Sequence, residues 1–157
     1  FIGAPELFTE NGIKSVREEA LNAHNVIEVK ETIFLDFPAP ALNAFPEYKI
    51  SIELSKLFQK FNPTHLYLPH PGDIHQDHKA IYRASLVAAR PQNNLKIPNI
   101  FCYETLSETE WTPHHEKPFI PNYFVGYRAG NQEALPVNVK HFFAVRSGFE
   151  LLKHSYK

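Results

Sequence analysis

The sequence predicts an α/β fold built on a mainly parallel sheet. Two observations carry that prediction. Helix-like and strand-like segments alternate through the first two thirds of the chain, the order that yields parallel strands joined by right-handed crossovers. A run rich in histidine and aspartate also falls where a strand hands over to a helix, the place where open α/β sheets bind ligands. Length and composition agree: 157 residues suit a single domain over 1–157, and 43% hydrophobic against 21% charged residues is the balance of a packed core. Sixteen Lys and Arg against 17 Asp and Glu leave a net charge of −1, which argues against nucleic acid as a partner held by bulk electrostatics. No apolar run approaches the roughly 18–20 residues of a membrane span, and no signal peptide pattern opens the chain. The single cysteine, Cys102, rules out an intramolecular disulfide and points by default to the reducing cytoplasm. Phe1 opens the chain and Met is absent, so the expectation is that something upstream is missing.

Each element has its own justification. Lys14 to Asn25 reads as a helix, with Val16, Ala20, Leu21 and Ala23 as an apolar stripe and Ser15 as a cap. Glu31 to Phe37 is nearly continuous in β-formers and reads as a strand covered on both faces, ended by Pro38-Ala39-Pro40. Glu47 to Phe61 is the clearest helix, with Ile50, Leu54, Leu57 and Phe61 on one side and Lys49, Lys56 and Lys60 on the other. After Asn62-Pro63, His65 to Leu68 reads as a short strand closed by Pro69. Lys79 to Arg90 returns to helix until Pro91, and Asn99 to Tyr103 is a further strand. Residues 105–125 lack periodicity and read as a long loop over the sheet end, Val137 to Val145 as a late strand, and Ser147 to Lys157 as a terminal helix. Phe34, Phe37, Phe58, Phe61, Phe142 and Phe143 are expected in the core, and His24 and His154 on the surface.

The chemistry concentrates in Pro69 to Ala80, PHPGDIHQDHKA, which holds His70, His75, His78, Asp73 and Asp77. A helix N-terminus there offers free N–H groups and a positive dipole end, which keeps imidazoles neutral, the form a metal requires. His75 and His78 are one turn apart and should lie side by side, and Asp77 is expected to orient one ring and fix the tautomer of the imidazole that ligates. Two histidines are too few for a zinc site, which takes three or four protein ligands, so others must come from elsewhere. The plainer reading, solvated surface histidines, stands beside this one. His114 and His115 are adjacent and would point apart, which favours a loop over a second metal pair.

At these residues the sequence resembles the PIG-L-type (LmbE-like) zinc-dependent N-deacetylases. Gly72 to His78, GDIHQDH, looks like the family's second signature; Arg17-Glu18-Glu19-Ala20 is similar to its R-x-E-A helix, and Leu35-Asp36-Phe37-Pro38 to its strand-end aspartate. The stretches YETLSETEW (Tyr103 to Trp111) and FIPNYF (Phe119 to Phe124) are similar to stretches of bacterial members. The resemblance implies a Rossmann-like three-layer sandwich and removal of an acetyl group from an N-acetylglucosamine-type amino sugar. Zn2+ or another divalent ion is the implied cofactor and a small amino-sugar conjugate the implied partner; homo-oligomers are left open. It implies His78 as metal ligand, His75 beside the metal as oxyanion stabiliser or proton donor, Asp73 and Asp77 supporting that shell, and Arg17 and Asp36 lining the substrate pocket. The family's first signature, H-P-D-D-E, supplies two further ligands and a base, and it is not found in this sequence. The expectation is therefore a domain truncated at the N-terminus and shortened after Val125, binding zinc weakly and turning over poorly. A non-catalytic sugar- or metal-binding remnant is the alternative.

Overall fold

The computed structural model describes residues 2–3, 9–91, 95–113, 117–124 and 144–147. The first helix, α1 (Glu10–Val26), begins earlier than the apolar pattern suggested, because Thr9 caps it: the Gly12 N–H donates to Thr9 Oγ1 at 3.1 Å. Ser15 is not the cap; it lies inside the helix and its hydroxyl donates to Glu19 at 3.3 Å. No residue of α1 is buried, and Val16 and Leu21, the expected inward stripe, are exposed at 57% and 42%. The half-buried face is instead Ile13, Arg17, Ala20 and His24, because its polar members have partners on the segment that follows. His24 in particular is not a free surface residue: its Nδ1 lies 2.8 Å from Thr32 Oγ1.

The predicted strand at 31–37 does not form. The segment has no sheet partner among the described residues, Ile33 is 40% exposed, and Asp36 takes a positive φ of 55°. A period-based argument cannot see this, since β-formers need a neighbouring strand as well as propensity. Pairing begins only afterwards, where Ile2–Gly3 (β1) and Pro38–Ala39 (β2) run parallel.

The middle of the chain follows the sequence closely. A single 3-10 turn at Leu42–Ala44 leads into α2 (Glu47–Phe61), which ends with Asn62 in the left-handed region at φ 43°. The strand β3 (His65–Pro69), the helix α3 (Gln76–Ala88) and the strand β4 (Asn99–Tyr103) complete one crossover unit. β3 and β4 are parallel, in a register that sets Pro69 opposite Tyr103, so both strands deliver their carboxyl ends at one level. Beyond β4 the sheet turns antiparallel: β5 (Tyr123–Phe124) and β6 (Ala144–Ser147) complete the order β3-β4-β6-β5. Within the described residues, the strand expected at 137–145 is met by Ala144–Ser147. Its earlier part, the terminal helix after Ser147, His114, His115, Phe142, Phe143 and His154 lie outside the described residues.

α2 and α3 pack on one face of the sheet. Ala80, Ala84 and Ala88 recur every four residues along α3, and their small side chains let the helix approach closely. Two core clusters result: Phe37, Leu42 and Ile50 with Ala80 and Ala84, and Phe58 with Ala88, Ala89 and Leu95, the latter joined by Leu66 and Ile100 from the strands. Phe58, and not Phe61, is the buried end of α2; Phe61 is 46% exposed. Along β3 and β4 the alternate side chains turn to the opposite face. There Tyr67 stacks on Phe101 at 5.3 Å between ring centroids, and Tyr123 meets the same ring at 4.9 Å, tilted by 33°. The result is an α/β fold of the Rossmann-like kind, and among the described residues no helix is long and apolar enough to cross a membrane.

Candidate functional site

The loop from His70 to His75 leaves the carboxyl end of β3 and feeds the N-terminus of α3. Its path depends on close backbone approaches. His70 is 1% exposed, stands edge-on to Phe119 with 5.2 Å between ring centroids, and its Nε2 donates to the Lys117 carbonyl at 2.9 Å. Its Nδ1 is buried with no hydrogen-bond partner among the described residues. Gly72 sits against this contact; a Cβ there would meet the Lys117 oxygen at 2.2 Å, so no other residue fits. The turn after β4 clamps the loop from above, with the Thr112 hydroxyl donating to the Gly72 carbonyl at 2.6 Å and the Ile74 N–H to the Glu108 carbonyl at 3.4 Å.

Asp73 is completely buried and its carboxylate is divided between two donors. Thr109 Oγ1 donates to Oδ1 at 2.7 Å, and His78 Nδ1 lies 2.8 Å from Oδ2. A carboxylate only accepts, so the His78 ring carries its proton on Nδ1 and the neutral ring has its lone pair on Nε2. His75 has the opposite polarity. It is the N-cap of α3, and its Nδ1 accepts the Asp77 N–H at 3.2 Å, which leaves the proton on Nε2. The two rings stack with centroids 4.9 Å apart and planes 17° from parallel. One junction therefore carries an acceptor nitrogen on His78 and a donor N–H on the stacked ring of His75, and the His78 side chain is still 25% exposed.

The other predicted residues take different places. Asp77 turns away from the rings: its Oδ1 accepts the Leu42 N–H at 3.0 Å, tying the start of α3 to the 3-10 turn. Arg17 and Asp36 do come together, as an ion pair between Arg17 Nη2 and Asp36 Oδ1, with the guanidinium 4.9 Å over the Phe34 ring. Thr109 is the residue that sequence reasoning missed, because it lies in the stretch without periodicity. Tyr103, at the end of β4, borders this centre electrostatically. Burial raises its phenol above the ordinary 10.0, and the negative charge of Asp73 adds to that, with Cys102 contributing further. An open cavity of about 380 Å³ adjoins the loop, lined by Pro71, Gly72, Lys79, Tyr82, Arg83 and Lys117.

His78 fits a metal as a single ligand, with a side chain 25% exposed, a lone pair on Nε2 and a buried carboxylate on Nδ1. Among the described residues no three His, Cys, Asp or Glu side chains converge, so these residues supply one ligand and not a complete centre.

A strand-to-helix loop carrying two oppositely polarised imidazoles at the carboxyl edge of a parallel pair defines an α/β protein with a histidine-based site. Comparison with known proteins makes this specific: residues 4–89, more than half of the chain, match the family model PIG-L, GlcNAc-PI de-N-acetylase, and the chain belongs to that family. A curated relative, the "uncharacterized deacetylase YaiS" of Escherichia coli strain K12, is 34% identical over 116 residues, covering 68% of this chain and 60% of the relative. The chain thus spans less than two thirds of that protein's length. No solved structure matches.

Proposed function

We propose that the chain is a metal-dependent N-deacetylase that hydrolyses the acetamido group of an N-acetylglucosamine-type sugar conjugate, with Zn2+ bound through His78. The observation that carries this reading is the opposed polarity of the stacked pair His78 and His75. Family membership and the deacetylase relative support the reaction type. The metal, when bound, polarises the amide carbonyl and acidifies a water. His78 Nε2 is the nitrogen that would hold it. The His75 Nε2–H is a donor at the same rim, suited to stabilise an oxyanion or to protonate the departing amine. Asp73 acts through His78 as a positioning residue, since both of its oxygens are engaged. Asp77 acts on the backbone around Leu42 in the same indirect sense. Arg17 and Asp36 are kept as candidate substrate contacts, and the buried Cys102 thiol suits a reducing cytoplasm.

A second reading, a sugar- or metal-binding protein without turnover, is favoured by one observation: the described residues hold a single ligand. One experiment separates the two. The purified chain is given zinc and N-acetylglucosamine conjugates, and released acetate is measured beside the melting temperature. Acetate release that disappears in His78→Gln and His75→Gln supports the enzyme. A sugar-dependent rise in melting temperature with no acetate supports the binding protein and overturns the enzyme reading.

A further inference from the structure

We infer that the cavity beside the His70–His75 loop is a binding site for the phosphate group of a small organic molecule. It is built from residues other than the stacked histidines and does not rest on the deacetylase reading. Its volume, about 380 Å³, falls within the range of about 300–1,000 Å³ common for small-molecule sites, so it has room for more than a lone ion. Lys79, Arg83 and Lys117 line it together with Pro71, Gly72 and Tyr82, and none of these is acidic. The carboxylates of the adjacent loop are committed elsewhere, Asp73 to Thr109 and His78, and Asp77 to the Leu42 N–H.

The cations come from two parts of the chain. Lys79, Tyr82 and Arg83 recur at helical spacing near the start of α3, where long side chains lean toward the positive end of the helix. Lys117 arrives from the chain beyond β4 and is held by its backbone: its carbonyl accepts from His70 Nε2 at 2.9 Å, the seam that only a glycine at position 72 allows. Its ammonium has no ion pair among the described residues. Arg83 gives one edge of its guanidinium to Glu47, with Nε and Nη2 each 3.0 Å from Oε2, and keeps Nη1 for another acceptor. A planar carboxylate satisfies one such fork. A phosphate spreads three acceptor oxygens over a tetrahedron and can meet cations from both parts of the chain at once.

Titration calorimetry on the whole, metal-free chain at constant ionic strength tests this, with inorganic phosphate, N-acetylglucosamine 1-phosphate, methyl N-acetylglucosaminide and acetate as probes. The expected result is one saturable phosphate site per chain below about 10 mM, weakened at least about tenfold when Arg83→Gln and Lys117→Gln are combined. Both residues are exposed, so the double variant should fold, which an unchanged melting temperature without phosphate checks. Lys14→Gln with Lys60→Gln removes the same charge from α1 and α2, outside the cavity, and should leave the affinity within about twofold. Sugar phosphate binding more tightly than both inorganic phosphate and the neutral sugar supports the site and puts the phosphate on the sugar conjugate. Sugar phosphate binding no more tightly than inorganic phosphate supports the site with a separate phosphorylated ligand. No saturable binding of either phosphate, acetate binding as tightly as phosphate, or an equal loss in the Lys14 and Lys60 control overturns the inference. None of these readouts needs zinc or turnover, so absence of acetate release would count against the proposed reaction alone.

Discussion

The loop from His70 to His78 and the pair formed by α1 with residues 31–37 both carry an acidic residue bonded to a basic one, and they are built in opposite ways. In the first, Asp73 is entirely buried, shared between Thr109 and His78, and backed by a clamped turn. In the second, the side chains of Arg17 and Asp36 are 32% and 54% exposed, on a helix with no buried residue and a segment without a sheet partner among the described residues. Similar residue chemistry produces a fixed proton arrangement in one place and an adaptable surface pair in the other. Burial makes the difference: a buried carboxylate must satisfy every lone pair it can, whereas water completes the shell of an exposed one.

Substitutions in the two regions should therefore differ sharply. The largest loss is expected for Asp73→Ala, which strands the Thr109 hydroxyl and the His78 N–H in a dry interior; chemical denaturation should show about 3 kcal/mol of lost stability. An equal effect in the exposed pair would erase the distinction. Ile50→Ala, in the cluster beneath the loop, should cost a comparable amount, about 2–3 kcal/mol, whereas Val16→Ala on the outer side of α1 should stay within about 0.5 kcal/mol. Asp77→Ala leaves the buried Leu42 N–H without its acceptor and should cost about 1–2 kcal/mol by the same measurement.

Asp36→Asn should change stability by under about 1 kcal/mol, and the difference from wild type should shrink as salt is raised from about 0.05 to about 0.5 M. A salt-independent loss would mean that the pair is more enclosed than its exposure implies. The smallest effect is a matter of pH. Tyr103 has its folded pKa above the unfolded value of 10.0, so the folded state retains the proton longer. Its contribution is fully present below pH 10 and is lost as pH rises through the folded pKa. Tyr103→Phe should flatten the fall in stability above pH 10, and difference titration of the phenolate absorbance should place Tyr103 above the exposed tyrosines.

Much of this architecture was legible in the sequence. The α2 boundaries, β3 to within one residue and β4 follow from local signals: an apolar stripe, a breaking Asn-Pro pair, a short run of β-formers. The nearness of His75 and His78 follows from helical spacing alone. The failures are equally specific. Glu31 to Phe37 has the composition of a strand and none of its pairing, and Val16 and Leu21 form a stripe that the fold turns outward. In both, a local pattern lacked the neighbour that would have realised it.

Spacing and propensity along the sequence were enough to determine that three helices form and the bounds of α2, where the β3–β4 parallel pair lies, and that imidazoles and carboxylates meet at one strand-to-helix junction, while α1 and α3 begin at Glu10 and Gln76, ahead of the expected Lys14 and Lys79. Only the tertiary structure decided what those groups do. It gave the two oxygens of Asp73 to Thr109 and His78, turned Asp77 toward Leu42, and paired Arg17 with Asp36. Helix and strand signals arise between near neighbours, whereas the partners of a buried carboxylate are brought from as far as 36 residues away by the packing of one loop on another, with water excluded.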